Sequence, residues 1–239
     1  MNQAKRQFIL VWILGVGYFS ITILPYLIFG FGLHLGVTSY PDIIDLFFYP
    51  PIIGLTLFAL FKGLKTNEIP TWIQYLAYFL LILHFEGHGF HWAANSLDVL
   101  MEHEGISGLL ANYAYFLDEI VSHKIMYYTF YGYAILLVLL ESKYSDYTLE
   151  EKWYLILPAA ILGGFAFMIS GIEGQSPYEV ITAVIVIIAI TCYIFRSKFK
   201  EITKKPIICF YFIASIVMLI IAGLYLAIFG FFIQPSEWF

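Results

Sequence analysis

Residues 207–233, IICFYFIASIVMLIIAGLYLAIFGFFI, run for 27 positions without a charged side chain. Coiled as a helix at about 1.5 Å per residue, such a run is longer than the roughly 30 Å hydrocarbon core of a bilayer. Working outward, six more apolar runs of about twenty residues precede it, at roughly 8–30, 46–63, 71–95, 120–140, 153–172 and 178–195. Of the 239 residues, 61% are hydrophobic and only 12% charged, about half the charge of a soluble domain. The mean hydropathy is +0.83. The chain reads as an all-α integral membrane protein: one domain, 1–239, built as a bundle of seven transmembrane helices. No internal repeat and no soluble domain interrupts this pattern.

The remaining composition excludes several classes. A net charge of −5 leaves no basic surface for a phosphate backbone, so the expected partner is the lipid bilayer and not nucleic acid. Cys192 and Cys209 both lie inside apolar runs, which gives neither a disulfide framework nor a CxxC motif. Lys5 and Arg6 precede the first run as they would in a signal peptide, but no A-x-A-like cleavage site follows, so that run is expected to stay as an anchor. Pro25, Pro50, Pro51 and Pro158 fall within or at the ends of runs, where kinks are expected and not breaks. Trp72, Trp153 and Trp238 sit near predicted interfaces, as an aromatic belt.

Basic residues orient the bundle, because they cross membranes least readily. Lys5 and Arg6, then Lys62 and Lys65, then Lys143 and Lys152, then the cluster from Arg196 to Lys205 occupy alternate connections, so eleven of twelve share one side. Only Lys124 falls opposite. Seven crossings with a cytoplasmic N-terminus and an extracytoplasmic C-terminus satisfy this arrangement, in a multi-pass protein of the cell membrane.

All six histidines fall on or near the outer side of this arrangement. In His84-Phe-Glu-Gly-His88-Gly-Phe-His91-Trp-Ala-Ala-Asn95, helical rotation puts His84, His88, His91 and Asn95 within an arc of about 60°. Asp98 and Glu102 continue the stripe, whereas Glu86 points the other way and has no evident partner. Counting the rise from the inner ends of spans three, four and five brings His88, His91, His123, Glu119 and Glu173 to similar depths, about 25–33 Å from the inner face. Asp118 is paired in spacing with Ser122, and Glu119 with His123. A single intramembrane histidine is explained by one hydrogen bond between helices, typically under about 2 kcal/mol. A stripe of them facing carboxylates is costly near lipid unless it lines a site.

Ligand type points to a divalent metal, zinc ahead of iron or copper, held by His84, His88, His91, His123 and Glu119. His84 and His91 are about 10 Å apart along the axis, so either two of the three share one ion with groups from other helices, or there are two ions. Glu-x-x-His at di-iron spacing is absent, since Glu119 to His123 is one residue too long. Asn95, Gln175, Tyr127 and Tyr131 are expected to line the cavity. The chemistry expected of such a site is metal-dependent hydrolysis of a lipid-like substrate, with Glu119, Asp118 or Glu173 removing a proton from bound water. The competing expectations are a proton- or metal-handling transporter, a haem or quinone redox protein, and an assembly subunit of a membrane complex. A transporter would carry polar groups in both membrane halves, and the inner half has few. Haem propionates would need outer basic partners, and Lys124 stands nearly alone there. His34 and His103 are expected in loops, and Asp42, Asp45, Glu104 and Glu179 at the interface.

Overall fold

The computed structural model describes residues 2–29, 34–35, 38–149 and 153–234. Lys152 and Trp238 lie outside these, as do the side chains of His34, Asp42 and Glu102. The chain is helical almost throughout: α1 (Gln3–Thr22), α2 (Leu24–Phe29), α3 (Tyr40–Tyr49), α4 (Leu55–Lys62), α5 (Thr71–His103), α6 (Leu109–Tyr115), α7 (His123–Tyr144), α8 (Leu157–Glu173), α9 (Pro177–Ile194) and α10 (Pro206–Phe229). Between α2 and α3 a two-residue pairing joins His34–Leu35 to Thr38–Ser39.

Among the described residues, six helical stretches are long and apolar enough to cross a membrane: Gln3–Ile28, Ile43–Lys62, Leu109–Tyr144, Trp153–Glu173, Pro177–Ile194 and Pro206–Phe229. They coincide with six of the seven expected runs. The remaining run is α5, 33 residues long, whose sequence also carries four histidines and the acids Glu86, Asp98 and Glu102. Apolar side chains fill the interior and also cover much of the outside. Leu55, Phe47, Tyr193, Ile220 and Ile228 are exposed on the bundle surface, as residues facing hydrocarbon would be.

Two spans contain a wide π turn. Pro50–Gly54 joins α3 to α4, and Phe116–Ser122 joins α6 to α7. At the first, Pro50 and Pro51 have no N–H to give an α-helical ladder, and the wider turn lets the helix continue past them. Pro25 lies at the start of α2, where Leu27 N–H still reaches the Ile23 carbonyl, and Pro158 sits in the first turn of α8. Neither breaks its span.

The core is assembled where small residues bring backbones together. Gly15 of α1 lies against the Ala159 carbonyl of α8, Gly163 against the Gly15 Cα, and Gly164 against the Ala214 carbonyl of α10. Around this crossing, Tyr18 meets Phe167 edge-on at 4.4 Å and Phe130 meets Phe167 at 5.0 Å. α10 ends at Gly230, whose φ of +76° is the left-handed conformation glycine adopts freely.

Polar contacts mark the two ends of the bundle. At one end, the Gln3 side chain donates to the Gly63 carbonyl, Lys65 pairs with Asp146 at 3.3 Å, and Lys205 donates to the carbonyls of Ser145 and Tyr147. Burial holds the Lys205 pKa below the ordinary lysine value, with nearby acids pulling the other way. Also at this end, fully buried Glu141 of α7 caps α10. It accepts from Ile208 N–H at 2.7 Å, from Ile207 N–H at 3.3 Å and from the Tyr147 hydroxyl at 2.7 Å. At the opposite end, Lys124 pairs with Glu179, and Gln234 donates to the Glu173 carbonyl and to Glu119.

Candidate functional site

At the end holding Gln234, the helices enclose a cavity of about 330 Å³. Its walls come from α1 and α2 (Tyr18, Ile21, Leu27), α3 (Asp45, Tyr49), α5 (His84, His88, His91), α7 (His123, Met126, Tyr127, Phe130) and α8 (Phe165, Ile169, Glu173). The histidine stripe of α5 therefore faces inward. Its approach to α7 depends on Gly87, where a Cβ would come within 2.9 Å of the Met126 side chain.

Each histidine in the cavity is held through Nδ1. His91 Nδ1 lies 2.6 Å from Asp118 Oδ1, and His88 Nδ1 lies 3.3 Å from Asp45 Oδ2. His123 Nδ1 meets the Glu119 carbonyl at 3.1 Å and its carboxylate at 3.4 Å. His84 Nδ1 meets the Met126 carbonyl at 3.2 Å. Carbonyls and carboxylates only accept, so all four imidazoles donate from Nδ1, and a neutral ring held in this way has its lone pair on Nε2. For His84 that lone pair is used: Nε2 accepts from the Tyr49 hydroxyl at 3.2 Å. The rings also touch one another, tilted or, for His84 and His88, edge to face. His91 and His123 are 4.6 Å apart between centroids, His84 and His88 5.0 Å, and His88 lies over Tyr49 at 3.9 Å.

The wide turn Phe116–Ser122 supplies the acids. Asp118 is buried, with its backbone carbonyl taken by the Ser122 hydroxyl, and its carboxylate is directed to His91. Glu119, on the next position, serves His123 and Gln234. π turns concentrate at functional sites because the extra residue re-aims side chains. Here one turn sends consecutive carboxylates to two histidines on different helices.

The depth estimate from sequence brings together His88, His91, His123, Glu119 and Glu173; the structure puts His88, His91, His123 and Glu173 in the cavity wall, with Glu119 behind it against His123 and Asp118 behind it against His91. Tyr127 also lines it, its hydroxyl donating to the Ser170 carbonyl. Three expected lining residues lie outside the cavity wall. Tyr131 packs in the apolar core, Gln175 donates to the Tyr115 hydroxyl at 2.7 Å, and Asn95 lies beyond His91 on α5. Glu86 is exposed on the outward face of α5. His103 is exposed next to Glu104. Asp45 and Tyr49 were not recognised from sequence as site residues. The sequence puts Asp45 at the interface together with Asp42, Glu104 and Glu179. The depth count applied to spans three to five, had it been applied to span two, would have put Asp45 level with His88.

Among the described residues, no three of His, Cys, Asp and Glu gather closely enough to hold one metal ion. His84 in particular has both ring nitrogens engaged. Comparison of the chain with protein-family models, with curated proteins and with solved structures gives no match.

Proposed function

We propose that this is a seven-helix membrane enzyme whose histidine–carboxylate cavity performs acid–base chemistry on a lipid-like substrate. The observation that carries the proposal is the pairing of His91 with Asp118 at 2.6 Å beside a second paired imidazole, His123, at 4.6 Å between rings. A carboxylate on Nδ1 keeps the basic lone pair on Nε2 and stabilises the imidazolium that forms when Nε2 takes a proton. Two such groups side by side supply a base and an acid, each worth about 10²–10⁴ in rate. The proton transfers of ester or amide hydrolysis need no more than this. One imidazole takes a proton from water as its oxygen bonds to the carbonyl carbon, and an imidazolium returns a proton to the leaving group as the old bond breaks.

The topology is part of the proposal. Gln3 and Gln234 make their contacts at opposite ends of the bundle, which supports an odd number of crossings with α5 as the seventh. With basic residues inside, the N-terminus is cytoplasmic and the cavity lies toward the extracytoplasmic side.

One observation favours a second reading, a divalent metal. Imidazoles that ligate metals usually donate their other nitrogen to a carboxylate or carbonyl, as these do through Nδ1. Among the described residues, no three such side chains come together around one ion.

Lipid profiling tests the proposal. The purified protein, reconstituted with a total lipid extract, should deplete one lipid class and release a product, and His91→Gln or Asp118→Asn should abolish the change. Identical profiles for wild type and variants would sink it. Stoichiometric zinc that is lost in His88→Ala and His123→Ala would promote the metal reading.

A further inference from the structure

The cavity's charge is one-sided, and this deepens the proposed activity, on which the inference rests. Among the described residues, no lysine or arginine lines it, whereas Asp45 and Glu173 do, and Asp118 and Glu119 stand behind His91 and His123. The nearest cation along α7, Lys124, is turned away to Glu179 and the Gln175 carbonyl. Three carboxylates, Asp45, Asp118 and Glu119, are thus each paired with an imidazole, and Glu173 adds a fourth to the wall. A phosphate, sulfate or carboxylate headgroup would meet like charge with its hydration removed. An ammonium would exchange water for charge-assisted hydrogen bonds.

Two further features fit a cation. Aromatic rings form much of the wall around the acids: Tyr18, Tyr26, Tyr49 and Phe130 line the same space, and ring faces attract ammonium groups. The wall that reaches the outside of the bundle is apolar. Leu27 of α2 is 71% exposed while lining the cavity, and half-exposed Ile23, Phe165 and Ile169 stand beside it. On a surface that faces hydrocarbon, this is a route from the bilayer between α2 and α8. At about 330 Å³ the cavity is at the small end of ligand pockets, with room for a headgroup and part of one chain but not for a two-chain lipid.

We propose that the ligand is a single-chain cationic amphiphile, a long-chain amine, which enters sideways between α2 and α8 and places its ammonium among Asp45, Glu173 and the tyrosines. The remainder of its chain lies along Leu27 and Ile169 into the bilayer.

The test uses the full protein in phosphatidylcholine nanodiscs and a dodecylamine probe with a mid-chain diazirine. Photolabelling should map to peptides of α1–α2 and α8. Unlabelled dodecylamine should displace the probe at a concentration at least about tenfold lower than dodecyl phosphate, with dodecanol between them. Asp45→Asn should weaken amine binding about tenfold. Equal competition by dodecyl phosphate, or labelling confined to other helices, overturns the assignment, and the wild-type competition series needs no variant to fold. If lipid turnover still depends on His91 and Asp118 while phosphate competes equally, the headgroup assignment falls and the proposed activity stands. If the amine is bound selectively and no lipid is turned over, the ligand assignment stands and the activity falls.

Discussion

Gly15→Ala probes the contact on which both the bundle and the cavity depend. A Cβ at Gly15 would lie 2.1 Å from the Ala159 carbonyl oxygen, 2.8 Å from its carbonyl carbon and 2.9 Å from Phe210 Cε2. Two of these obstacles are backbone, so no rotamer change relieves them. Restoring an ordinary carbon–oxygen contact of about 3.3 Å requires α1 and α8 to separate by about 1 Å. A gap of that size forfeits a quarter to a half of the dispersion energy of each facing pair. Overpacking typically costs 1–3 kcal/mol, and with backbone as the obstacle the expected value is about 3 kcal/mol. For a chain of this length that corresponds to a melting temperature lower by roughly 6–12 °C. Gly223→Ala is the control, because nothing lies within 4 Å of a Cβ there, and it should melt with or slightly above the wild type. The assay is thermal unfolding in non-ionic detergent, followed with a thiol-reactive dye in a Cys192→Ser background. The signal then reports exposure of Cys209, which is 1% accessible when folded. A Gly15→Ala melt no lower than that of Gly223→Ala would refute the backbone-contact account.

Three further outcomes are expected. Glu141→Ala removes the acceptor for two buried N–H groups and the Tyr147 hydroxyl, at about 1–3 kcal/mol for each orphaned donor, while Glu141→Gln keeps one acceptor and should recover part of the loss in the same melting assay. Gly54→Ala places a Cβ 2.0 Å from Phe85 Cζ, so Phe85 must swing aside on α5, next to His84; a drop of about 1–3 kcal/mol is expected, and an unchanged melt would show that the ring moves freely. His91→Gln and Asp118→Asn should each lower lipid turnover by about 10²–10⁴, and the double variant should be no worse than the poorer single one; additive losses would show that the two residues do not act as a unit.

Much of this architecture is legible in the sequence because the bilayer imposes so few solutions. Length and apolarity alone mark six spans, and the basic residues gather at one end where the connections of Lys65, Ser145 and Lys205 meet. The α5 stripe is legible because helical rotation is fixed, and the level of His123 because helical rise is fixed. What escaped has a common cause. Asp45 stands at the edge of its apolar run, where a carboxylate at an interface and one in a cavity look alike, and a tyrosine in an apolar run, such as Tyr18 or Tyr49, carries no local mark of facing a cavity. The extent of Leu109–Tyr144, begun eleven residues before the expected start at 120, was hidden because polar residues near Asp118 look like a loop when their partners on α5 are unknown.

The wide turn at Phe116–Ser122 also sets a geometric offset between the two halves of its span. One extra residue in a helix rotates everything beyond it by about 100° relative to an unbroken ladder. The part from His123 onward, α7, keeps the register that packs it against α5 and α9, while α6 and the acids turn independently of it. Chain length there, and not side-chain identity, decides which way Asp118 and Glu119 face. Removing a single residue from the turn would leave the inner bundle phased as before and swing both carboxylates off their histidines.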